Sequence, residues 1–88
     1  MAESKADMVA SVVVRLLSEK RQKAGLSMNV VAQRSRMSHT MISRVERKLR
    51  RPTLDTLLRI AEAMEIELWP LIKKAEKEFE QAGKTKGG

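Results

Sequence analysis

Five cationic side chains, Arg44, Arg47, Lys48, Arg50 and Arg51, fall within positions 44–51, against one carboxylate, Glu46. The chemistry such a run offers is recognition of a polyanion. An ammonium acts as a point charge, whereas a guanidinium presents a planar fork of N–H donors that matches the paired oxygens of a phosphate. The whole chain leans the same way: its 88 residues include 18 Lys and Arg and 11 Asp and Glu, a formal charge of +7. A positive field of that kind draws in nucleic acid, but by itself it suits equally a small protein kept soluble by its surface. The position of the cations has to decide between the two.

Other chemistries find few residues. Without cysteine there is no disulfide framework, thiolate zinc site or cysteine nucleophile, and the composition suits a reducing cytoplasm. The single histidine, His39, has no second imidazole or thiolate with which to hold a metal. Ser38 and His39 are neighbours on one surface helix and Asp55 lies beyond a loop, so serine, histidine and acid do not converge as catalysis would require. The expectation is a non-enzyme that uses no metal and no cofactor. Near the N-terminus the apolar run Val12 to Val14 is broken by Arg15, far short of the roughly 20 apolar residues of a membrane span. Neither a membrane anchor nor an export signal is expected.

The elements that must position the cations read as helices throughout. Val9, Val13, Leu16 and Leu17 recur at helical spacing over 8–24, and Gly25 supplies a residue free to take the left-handed conformation that stops a helix. Ser27 caps a second helix over 28–35, with Val31 and Ala32 inward, and Ser38 caps a third over 39–47, with Ile42 and Val45 inward. Met37 stands ahead of that cap as a staple. Lys48 to Pro52 is a loop, because the residue before a proline is turned away from helical geometry. Thr53 then caps a helix over 54–64 whose many apolar residues, Leu54, Leu57, Leu58, Ile60, Ala61 and Met64, suggest the hub of the core. A fifth helix over 68–83 takes Pro70 in its first turn and ends at Gly83. Residues 1–7 are expected as a flexible arm, 8–82 as one helical domain and 83–88 as a disordered tail.

Taken in order, AGLS (24–27), VAQRSRMS (31–38), ISRVE (42–46), RRP (50–52) and LLRIAEAMEIEL (57–68) resemble the Cro and phage-repressor (XRE-like) type of helix-turn-helix regulator. The resemblance covers nearly the whole folded chain. It implies an all-α, five-helix, lambda-repressor-like fold in which helices 2 and 3, about 27–48, form the helix-turn-helix. It also implies a cytoplasmic, bacterial or phage-type regulator that binds double-stranded DNA sequence-specifically.

In such proteins helix 3 lies in the major groove, which makes His39, Thr40, Ser43 and Arg44 the base-contacting candidates. Arg44 is the sharpest, because its fork fits guanine O6 and N7; the Thr40 methyl suits a thymine methyl. The phosphate candidates are the N–H groups near Ser27 and Met28, with Arg47, Lys48, Arg50 and Arg51. The cations thus sit beside the helix-turn-helix, and position favours DNA over mere solubility. Glu46, anomalous on such a surface, is implied by the resemblance to pair with Arg21 as a partly buried structural bridge. Two departures stand out. The family usually has glycine where this chain has Arg36 and Lys48, at places that tend to need positive φ.

Helix 5 carries an apolar stripe, with Leu68, Leu71, Ile72, Ala75 and Phe79 and with Trp69 close by. A homodimer through Trp69, Leu71, Ile72, Ala75 and Phe79 would set two recognition helices about 34–36 Å apart to read a palindromic operator, as a repressor does. The simpler alternative folds the stripe back onto helices 1 and 4. A different class of function, an antitoxin or adaptor that binds a second protein and touches DNA only for autoregulation, fits the same helical body.

Overall fold

The computed structural model describes residues 4–87, with side chains through residue 83. Five helices follow one another: α1 (Lys5–Lys23), α2 (Met28–Ser35), α3 (His39–Glu46), α4 (Leu54–Ala63) and α5 (Trp69–Gly87). Four of them begin on a hydroxyl. Ser4, Ser27, Ser38 and Thr53 each stand in extended backbone and accept the N–H of the third helical residue, all at 3.1 Å. Each cap satisfies one of the donors that a helix start leaves without an intrahelical partner.

The first helix starts three residues earlier than the apolar periodicity indicates. Ser4 and Asp7 form a reciprocal capping box, and this polar pair holds a turn that the expected arm of residues 1–7 would have left loose. At the other end of the chain α5 passes through Gly83 to Gly87, so neither the stop at Gly83 nor a structureless segment from 83 onward holds for the described residues. A glycine inside a helix costs about 1 kcal/mol relative to alanine, too little to stop one whose preceding turns are formed.

One closing device recurs at the ends of α1, α2, α3 and α4. The N–H groups of Leu26, Met37, Leu49 and Ile66 reach back to the carbonyls of Arg21, Ala32, Arg44 and Ala61, at 2.8–3.1 Å. In each case the preceding residue has positive φ: Gly25 at 70°, Arg36 at 59°, Lys48 at 60° and Glu65 at 57°. Only one of the four is glycine. At the other three a Cβ is carried in a conformation that costs about 1 kcal/mol.

The core joins Val13, Leu16 and Leu17 of α1, Val31 and Ala32 of α2, Ile42 and Val45 of α3, Leu57, Ile60 and Ala61 of α4, and Leu68, Leu71 and Ala75 at and within α5. Leu71 and Ala75 are 6% and 0% exposed, which corrects their placement at a dimer interface. The reason is that α5 lies antiparallel along α1, with Pro70 and Leu71 beside Lys20 and Lys23 and Phe79 under the Lys5 ammonium. Glu78 belongs to this contact too: it accepts from Arg15 Nη2 at 2.9 and 3.0 Å. Ile72 and Phe79 are half-buried and Trp69 is exposed.

The fourth helix is less central than its composition suggests. It packs on α2 and α1, so Leu57, Ile60 and Ala61 are buried, but Leu54 and Leu58 face outward. No helix among the described residues is long and apolar enough to cross a membrane.

Candidate nucleic-acid interface

Two side chains anchor α3. Ile42 and Val45 are 0% and 1% exposed and fix which way the other residues of this two-turn helix point. His39, Thr40 and Arg44 are exposed and Ser43 is half-buried, so all four base-contacting candidates lie on parts of α3 that the core leaves accessible. The turn before α3 is set by Arg36 in the left-handed region, followed by Met37 packed against the core and Ser38 as cap. Helix, three-residue turn and helix thus form a rigid unit that presents the start of α3.

The phosphate candidates take up two places. At the start of α2, the Ser27 hydroxyl accepts from Val30, while the N–H groups of Met28 and Asn29 have no carbonyl a turn earlier to bond. Two aligned donors at the positive end of a helix dipole suit an anionic oxygen. Beyond α3, Lys48, Arg50 and Arg51 line one depression of about 330 Å³ with Asp7, Ser11 and Leu49. Arg47, Lys48 and Arg50 are exposed, and among the described residues no carboxylate pairs with them or with Arg44.

Arg51 differs from its neighbours, because Asp7 of α1 forms an ion pair with its guanidinium. Part of its charge is answered inside the chain, which makes it a weaker phosphate candidate than Arg50. No local pattern signals this contact, since the two residues are far apart in sequence.

Glu46 is turned away from the cationic surface. Arg21 Nε lies 2.7 Å from Glu46 Oε2 and Arg21 Nη2 donates to Oε1 at 3.0 Å, a bidentate pair whose side chains are 13% and 11% exposed. Two further bonds complete it: the Ser18 hydroxyl donates to Glu46 Oε1 at 3.0 Å, and Arg21 Nη1 donates to the Leu26 carbonyl at 2.8 Å. The network ties the last turn of α1, the start of the α1–α2 connection and the last residue of α3. Ser18 has no sequence signal of its own, since a helical serine is as readily solvent-facing.

The left-handed backbone of Lys48 is a cost that a glycine would not carry. Lys48→Gly is expected to raise stability by up to about 1 kcal/mol, and a fall in DNA affinity beside it is the result expected of a phosphate-contacting lysine. Chemical denaturation and a DNA titration measure the two effects, and unchanged affinity would remove Lys48 from the interface.

An all-helical bundle whose second and third helices form a capped helix-turn-helix, with open N–H groups at the start of α2 and exposed cations beyond α3, defines a class of DNA-binding domain. Residues 17–68, more than half of the chain, match the helix-turn-helix family, and the protein belongs to its XRE-like branch of DNA-binding transcriptional regulators. Comparison with curated proteins and with solved structures gave no match.

Proposed function

We propose that the chain reads a specific, palindromic operator as a homodimer, with α3 in the major groove, and represses transcription by occupying that site. The observation that carries this reading is the division of α3: two buried residues hold it, and His39, Thr40, Ser43 and Arg44 are left for base edges. Met28 and Asn29 at one side, and Arg47, Lys48 and Arg50 at the other, supply the phosphate contacts that fix the helix in register. Occupancy requires neither catalysis nor a cofactor, and the proposed location is the cytoplasm, where the DNA is.

Selection of a preferred duplex from a random pool, followed by titration at several salt concentrations, tests the reading. The selected site is expected to bind about 10³-fold or more tighter than random DNA, with affinity falling steeply as salt rises. A salt-independent response, or no preferred sequence, would refute it.

A further inference from the structure

The outer side of α4 carries a pattern that DNA recognition does not use. Leu54 and Leu58, one turn apart, are 61% and 49% exposed. Single exposed leucines are ordinary, but a pair at i and i+4 makes an apolar ridge. Asp55 and Arg59, each the next residue along, make a second ridge parallel to the first. Their side chains are exposed and meet, with Arg59 Nε 2.9 Å from Asp55 Oδ2. Among the described residues α5 packs on α1 rather than on α4, so it does not cover this side.

The pattern is complementary to itself. If two copies of α4 lie side by side and antiparallel, related by a two-fold axis perpendicular to both, each ridge meets the same ridge of the other copy in reverse order. Leu54 then sits beside Leu58 of the partner subunit. Asp55 meets Arg59 of the partner subunit, and Arg59 meets the partner subunit's Asp55. An apolar seam beside a charge row that matches itself in the antiparallel sense is complementary to a second copy of this chain.

We propose that α4, through Leu54, Asp55, Leu58 and Arg59, is the surface on which two copies associate. The inference rests on the dimer reading above and moves its interface from α5, whose Leu71 and Ala75 are already buried against the rest of the chain. The same two-fold axis relates the two recognition helices.

The test is association of the full chain without DNA, by sedimentation equilibrium and native mass spectrometry. Asp55→Arg makes both positions of the charged ridge cationic, and Arg59→Asp makes both anionic. Each variant alone is expected to associate at least about tenfold more weakly than the wild type, whereas their equimolar mixture forms a one-to-one heterodimer of near wild-type affinity. Loss of the pair within one helix cannot produce that rescue. Leu58→Glu is expected to stay monomeric alone and in mixtures, and Trp69→Ala to associate normally. A wild-type chain that stays monomeric with and without DNA overturns the dimer reading itself. A wild-type dimer indifferent to the α4 variants, or one lost on Trp69→Ala, overturns only the assignment to α4.

Discussion

Glu46→Ala is expected to lower the stability of the fold by about 3–5 kcal/mol, which is a large share of the roughly 5–15 kcal/mol that holds a domain together. The magnitude follows from what the substitution leaves behind. The Arg21 guanidinium stays almost enclosed, still bonded to the Leu26 carbonyl, but it loses the carboxylate that balances its charge, and the Ser18 hydroxyl loses its acceptor. An exposed pair would contribute a fraction of that, because water screens both partners. For a chain of this size the loss corresponds to a fall in melting temperature of more than about 10 °C. Arg21→Ala should also destabilise, by stranding the carboxylate, and the double variant should cost less than the sum of the two, since neither charge is then left alone. Melting within about 2 °C of wild type for Glu46→Ala would show that the pair is ornamental. The sign of the DNA effect separates structure from contact. Below its melting transition the variant has lost a negative charge beside Arg47, so its affinity for DNA should not fall.

What the sequence disclosed about this fold follows the range of the interactions concerned. Hydroxyl caps, inward apolar positions and the Gly25 stop are local: Ser27, Ser38 and Thr53 announce helix starts, and Ile42 with Val45 announces the buried side of α3, because each depends on neighbours a turn away. The capping box of Ser4 and Asp7 is equally local, but it precedes the apolar periodicity, and a search that starts from hydrophobic spacing passes over it. Glu65 carries no signal for its left-handed backbone. The helix end there is closed by the bond from Ile66 to Ala61, with Ile66 packed against the core, and tertiary packing outweighs the small conformational cost.

Placement of whole elements is beyond the reach of periodicity. The spacing of Leu54 and Leu58 shows that they share a side of α4, but not whether another helix arrives to cover it. Leu71 and Ala75 likewise form a stripe whose partner, α1 or a second chain, depends on the path of the α4–α5 connection. The ion pair of Asp7 with Arg51 is the same kind of fact, and it changes the ranking of the cations: Arg50, with no acid beside it, becomes the stronger phosphate candidate.

That ranking sharpens the second large expected effect, which concerns how Arg44 and Arg50 differ. Arg44 projects from the accessible part of α3 with no acid partner, and its backbone is fixed because its carbonyl accepts the Leu49 N–H at 2.8 Å. A guanidinium fork in the major groove distinguishes guanine from the other bases by about 1–3 kcal/mol, so Arg44→Ala should weaken the selected site by roughly 5- to 150-fold and leave random DNA nearly unaffected. Arg50→Ala should do the reverse. Its loss removes a charge from the backbone contacts, weakening all sequences together and reducing the salt dependence by about one unit of slope. Arg51→Ala should follow Arg50→Ala in kind but not in size, because Asp7 already offsets its charge. Affinities of the three variants for the selected duplex, for a duplex changed at one base pair and for random DNA, each at several salt concentrations, give the comparison. If Arg44→Ala and Arg50→Ala weaken every duplex equally, then Arg44 serves the backbone and α3 does not read bases through it.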